Sequence, residues 1–122
     1  MQSTKSEDLV NNPSHYAQAS TTLEPIDVLR YAPFDLGNAL KYVLRYKYKG
    51  NPKQDLEKAL KYANWAYDSA YLNRDIYKVY FEHYAYLLAK FKDLDFMGDI
   101  SSSRDAIHTL IEEIENKLNE LS

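Results

Sequence analysis

The tripeptide Gly50-Asn51-Pro52, set between two amphipathic segments, constrains this chain more than any other feature. Asp35 is placed to cap a helix over about Leu36–Lys49, and Gly50 to end it in the left-handed conformation. Asn51 then caps a further helix with Pro52 at its first position, where the missing N–H is harmless, and the apolar pattern continues to about Asn73. So short a connection predicts a helical hairpin. Leu56, Ala59, Leu60, Ala63, Tyr67 and Ala70 share one stripe of its second arm, and the alanines allow a neighbouring helix to approach closely.

The remaining segments read in the same way. A short helix is predicted over about Pro25–Tyr31, because Ala32 before Pro33 is pushed out of helical geometry. An aromatic helix is predicted over about Asp75–Lys92, carrying Tyr77, Tyr80, Phe81, Tyr84, Tyr86 and Phe91, and a break over Asp93–Ser101 around Gly98. A last helix starts at Ser102, whose spacing to Asp105 resembles a capping box. Its Ile107, Ile111, Ile114, Leu118 and Leu121 form a short heptad-like seam that suits internal packing or a homodimer. Three glycines and four prolines in 122 residues leave little material for the turns of an all-β domain. The expectation is an all-α bundle of four to five helices with a central hairpin. Residues 1–23 are read as an extended polar arm and 24–122 as a single helical domain.

Exclusions follow from what is missing. The chain has no cysteine, which removes disulfides, thiol nucleophiles and thiolate zinc sites. HExxH, EF-hand, GxSxG and Walker A patterns are absent, and His83 and His108 are isolated within amphipathic segments. Met1–Asn12 lacks the apolar core of a secretory signal and no apolar run approaches membrane-spanning length, so a cytoplasmic protein with no membrane partner is expected.

Charge is where a function begins to show. Residues 41–62 carry seven basic groups against two acidic ones, between acidic flanks, within a chain of net charge −3. A local anion site fits this better than general nucleic-acid affinity, the alternative being that the basic band pairs with the acidic C-terminal half. A rotation of about 100° per residue puts Asn38, Lys41, Tyr42, Arg45 and Lys49 on one helix face, opposite Leu36, Leu40 and Val43. A guanidinium fork flanked by ammonium groups suits phosphate or carboxylate oxygens. Asp55 and Lys58 approach this face if the hairpin turns the right way, and Asp55 then orients Arg45 or helps hold magnesium. The twelve tyrosines add a surplus of ring surface for packing, base stacking or a protein interface.

Several stretches occur together in order: Asn11-Asn12-Pro13-Ser14-His15-Tyr16, Pro25-Ile26-Asp27-Val28, Leu36 to Arg45, Lys49-Gly50-Asn51-Pro52 and Asp55-Leu56-Glu57-Lys58-Ala59. This combination resembles the small bacteriophage family labelled SaV-like, a domain of unknown function found also in an early coliphage nucleotide kinase. The likeness covers about residues 10–65, making 24–65 the family-like core and leaving the tyrosine-rich 66–122 outside it. It implies a phage-encoded protein acting in the host cytoplasm, with nucleoside monophosphate kinase-like activity lacking a P-loop, and magnesium as cofactor if a nucleotide is the ligand. It also implies, as the alternative, a non-enzymatic protein that inhibits or triggers a host defence system. Matching positions make His15, Tyr16, Asn38, Lys41, Tyr42, Arg45, Lys49, Asp55 and Lys58 the ligand-binding candidates. Asn12 departs from the family, which commonly has a second histidine there.

Overall fold

A computed structural model describes residues 22–122. His15, Tyr16 and the rest of the arm up to residue 21 lie outside the described residues. Among the described residues every regular element is helical. The elements are α1 (Pro25–Leu29), α2 (Phe34–Arg45), α3 (Pro52–Leu72), α4 (Arg74–Leu88), a 3₁₀ segment (Lys92–Asp99) and α5 (Ser103–Glu120).

The hairpin forms, with α2 packed along α3, although Asn51 at the N-cap of α3 makes no side-chain cap bond. Gly50 takes φ of 87°, which reverses the chain without a side-chain clash, and Pro52 opens α3. On α3, Ala59, Ala63, Ala66 and Ala70 are all fully buried. Such small side chains let α2 and α5 both lie close to α3, making it the centre of one apolar cluster that also takes in Leu36, Leu40, Leu110 and Ile114. The seam of α5 is used within the chain: Ile107 and Ile114 are buried, Ile111 and Leu118 half-buried, and only Leu121 is exposed. The Ser102 hydroxyl accepts the Asp105 N–H at 3.2 Å, one half of the expected capping box. The Asp105 carboxylate turns instead to the Ser101 hydroxyl, 3.1 Å away.

Several boundaries differ from the sequence reading, most of them because of contacts with residues distant in the chain. The first helix ends at Leu29, after which Arg30 and Tyr31 lead into a turn ahead of Pro33. Asp35 does not cap α2; the helix starts two residues earlier than expected, at Phe34 after Pro33. The Asp35 carboxylate accepts the Leu36 N–H at 2.8 Å, the Ser69 hydroxyl at 2.9 Å and the Tyr77 hydroxyl at 2.7 Å, tying α2, α3 and α4 together. Burial and this bond push the Tyr77 hydroxyl up to about 12. Helix α2 ends at Arg45 rather than Lys49, because the chain turns to bury Tyr46 and to bring Lys47 within 3.3 Å of Asp93. Helix α4 stops at Leu88, and the N–H groups of Lys90 and Phe91 bond to carbonyls only three residues back. The expected break then becomes the 3₁₀ segment, which buries Leu94 and Met97.

Candidate functional site

The solvent face of the α2–α3 hairpin gathers most of the predicted residues around one ring. The Lys41 ammonium lies 4.6 Å, the Arg45 guanidinium carbon 5.4 Å and the Lys58 ammonium 5.6 Å from the centroid of Tyr42. Helical periodicity supplies Lys41, Tyr42 and Arg45 from α2, and the close approach allowed by the alanine stripe brings Lys58 across from α3. Three cations within about 6 Å of one aromatic ring each gain from its quadrupole but repel one another. A single carboxylate offsets them: Asp55, buried in the first turn of α3, accepts from Arg45 Nε at 3.3 Å. Lys41 and Lys58 form no ion pair with any described residue, so the cluster keeps an excess of two positive charges.

The face continues beyond the residues singled out from sequence. Tyr62 stacks on Tyr42, with centroids 6.2 Å apart and planes 13° from parallel. Trp65 and Phe34 both stand edge-on to Tyr62, at 5.4 Å and 6.1 Å. Phe34 is 77% and Trp65 49% exposed, and Lys61 lies 5.1 Å from the Trp65 ring. Sequence reasoning finds Lys58 but misses Lys61, Tyr62 and Trp65, to which the same rotation rule leads when applied to α3 on the side away from its alanines. Phe34, which opens α2, carries no such signal. Beside Phe34, a groove of about 430 Å³ runs between α1 and α2. Its lining of Ile26, Leu29, Pro33 and Phe34 is apolar, and Lys41 and Asn38 also border it.

The two other residues predicted for this face diverge. Asn38 donates one amide N–H to the Phe34 carbonyl at 2.9 Å, which leaves its other N–H as the neutral donor expected. Lys49 is not on the helix face at all; it is exposed in the turn beyond the end of α2. The alternative that the basic band pairs with the acidic C-terminal half holds for Lys47, whose bond to Asp93 raises its pKa. The described residues contain no convergent group of three carboxylate or imidazole side chains. Asp55 already shares its charge with Arg45, so a magnesium ion would arrive with the phosphates of a ligand rather than be caged by protein carboxylates.

Comparison with known families matches one stretch of the chain. Residues 10–64 match the model of DUF3310, a family described as of unknown function. That stretch holds Phe34, Lys41, Tyr42, Arg45, Asp55, Lys58, Lys61 and Tyr62, and stops one residue short of Trp65. No curated protein and no solved structure matches the chain. No described helix is long and apolar enough to cross a membrane.

Proposed function

We propose that this protein binds a nucleotide or another phosphate-bearing ligand on the cationic, aromatic face of the α2–α3 hairpin. The observation that carries the reading is the Tyr42 ring surrounded by Lys41, Arg45 and Lys58, with only Asp55 to balance them. Phosphate oxygens between these groups would relieve their mutual repulsion, with the Asp55-anchored guanidinium as the fixed element and the two lysines as mobile ones. An aromatic base has Phe34 and Trp65 to stack on. The resemblance noted from sequence extends this to phosphoryl transfer in a phage-infected cell, where neutralisation of the transferred group would fall to Lys41, Arg45 and Lys58 in place of a glycine-rich loop.

The test is a thermal-shift titration of the full chain with nucleoside mono-, di- and triphosphates, with and without magnesium. A ligand at one hundred times its Kd stabilises the native state by about 2.7 kcal/mol. The control is the double variant Lys41→Ala/Lys58→Ala, whose two lysines are exposed and form no ion pair with any described residue, so the fold is retained. A shift in the parent protein that disappears in the variant supports the proposal; no shift with any nucleotide or with inorganic phosphate refutes it.

A second reading, a non-enzymatic protein that inhibits or triggers a host defence system, is favoured by a different surface. Ile76, Val79 and Tyr86 recur at helical spacing along α4 and are 59%, 52% and 73% exposed. Such a stripe suits a protein partner or a second copy of the chain. Sedimentation of the parent and of Ile76→Ser/Val79→Ser distinguishes them: loss of a dimer in the variant assigns the stripe to self-association.

A further inference from the structure

We infer that the ligand of the hairpin face is a single-stranded nucleic acid rather than a free mononucleotide, an inference that rests on the phosphate-binding reading above. One nucleotide needs one exposed ring and one group of cations, but this face offers two exposed rings, Phe34 and Trp65, and two groups of cations. At one end Tyr42 has Lys41, Arg45 and Lys58 around it; at the other Trp65 has Lys61 within 5.1 Å. Tyr62 joins the two ends, 6.2 Å from Tyr42 and 5.4 Å from Trp65. Phe34 adds a further exposed ring beside it. A row of rings flanked along its length by cations is the arrangement that binds successive bases and the backbone between them, tolerant of sequence because every base has a π-face. None of these groups is set to read a base edge. The strand binder is therefore indifferent to sequence. The charge pattern points the same way: Lys41, Lys58 and Lys61 form no ion pair with any described residue and are exposed, so each is available to a phosphate.

Trp65 is the only tryptophan of the chain and stands on the face itself, so its fluorescence reports directly on stacking. The experiment titrates the full chain with dTMP and with oligothymidylates of two, four and eight nucleotides, and repeats the series with oligouridylates to separate DNA from RNA. Quenching of Trp65 is expected, with affinity per nucleotide rising at least tenfold from monomer to octamer. Three lysines that each displace a counterion give a slope of log K against log salt of about −2. In Lys41→Ala/Lys61→Ala the slope is expected to fall to about −0.7. Phe34→Ala, a change at an exposed position, is expected to weaken the octamer about tenfold with little effect on the salt slope.

Equal affinity per nucleotide for dTMP and the octamer overturns the strand inference and leaves nucleotide binding standing. Absence of quenching and of thermal stabilisation by every nucleotide and oligomer overturns both. Length-dependent binding that is unchanged in Lys41→Ala/Lys61→Ala and in Phe34→Ala also overturns the inference, because the strand then lies elsewhere on the molecule.

Discussion

Replacing Arg45 by alanine strands a carboxylate. The Asp55 side chain is 4% exposed, its partner Arg45 Nε is 3.3 Å away, and no other described side chain bonds to it. Breaking a wholly buried ion pair costs about 3–5 kcal/mol, and a surface pair contributes about 0–1 kcal/mol. The Arg45 side chain is 40% exposed, so water screens one side of the pair. An intermediate loss of about 2–3 kcal/mol is expected, or a fall in Tm of roughly 6–12 °C for a domain of this size. Asp55→Asn removes the charge and keeps the shape, so Arg45→Ala/Asp55→Asn should recover at least half of that loss, with a coupling of about 1–2 kcal/mol. Urea unfolding followed by circular dichroism at about 222 nm, the usual helix band, and by Trp65 emission measures all three variants. An Arg45→Ala variant within about 0.5 kcal/mol of the parent, or a double variant whose losses simply add, would refute the reasoning. Lys41 and Lys58, rather than Arg45, are therefore the informative positions for ligand binding, since their removal leaves no buried charge behind.

Other expectations concern the frame that holds the face in place. Tyr77 is raised to about 12 by burial and its bond to Asp35, and Tyr80 is raised by burial beside Tyr84. A folded pKa above the unfolded value keeps the native form protonated where the unfolded chain would ionise. Stability from these groups is therefore complete below pH about 10 and declines as pH rises from there toward 12, by up to about 1.4 kcal/mol per unit for Tyr77. Urea midpoints at pH of about 8, 9.5 and 10.5 should show little change over the first interval and a fall over the second; a flat response to the highest pH contradicts it. Tyr77→Phe deletes one of three donors to Asp35 and is expected to destabilise by about 1–2 kcal/mol, read from the same urea curves. Ala63→Leu forces a larger side chain between fully packed helices and should cost about 1–3 kcal/mol in a urea titration. Lys61→Ala, on the exposed side of the same helix, should stay within about 0.5 kcal/mol of the parent and serves as its control. Gly50→Ala, at φ of 87° with open space around it, should lose about 1–2 kcal/mol from backbone strain alone, and Gly50→Asn less, as thermal melts of the two variants would show.

How far the sequence reveals this molecule depends on whether a signal is local. Pro52 and Ser102 mark helix starts through their own backbone chemistry, and the structure uses both in that way, whereas Gly50 takes its left-handed turn in the loop beyond the C-cap of α2 at Tyr46. The alanine stripe of α3 is a period, readable without knowing its neighbours. Asp35 is misread for the opposite reason. Its spacing suits a cap, but hydroxyls from Ser69 and Tyr77, distant in sequence, draw the carboxylate away, and the helix starts after Pro33 instead. The early ends of α2 and α4 are likewise tertiary effects, set by burial of Tyr46 and by the 3₁₀ segment that places Leu94 and Met97. At the candidate face, periodicity on α2 finds Lys41, Tyr42 and Arg45 together, whereas Lys49 follows the helix only on paper. The contribution of Lys61, Tyr62 and Trp65 depends on how the hairpin arms rotate against each other, which the packing of α3 decides.

The bonds of Asp35 bear on where this chain can be divided. Its partners Ser69 and Tyr77 both lie outside the stretch 10–64, and so do Ala66 and Ala70, which complete the inner stripe of α3. A fragment cut at residue 64 would keep the cations and most of the rings of the face but would leave Asp35 to water and expose one side of α2 and α3. The matched stretch thus lacks autonomy: it carries the cations of the face, and its rigidity is on loan from the tyrosine-rich half.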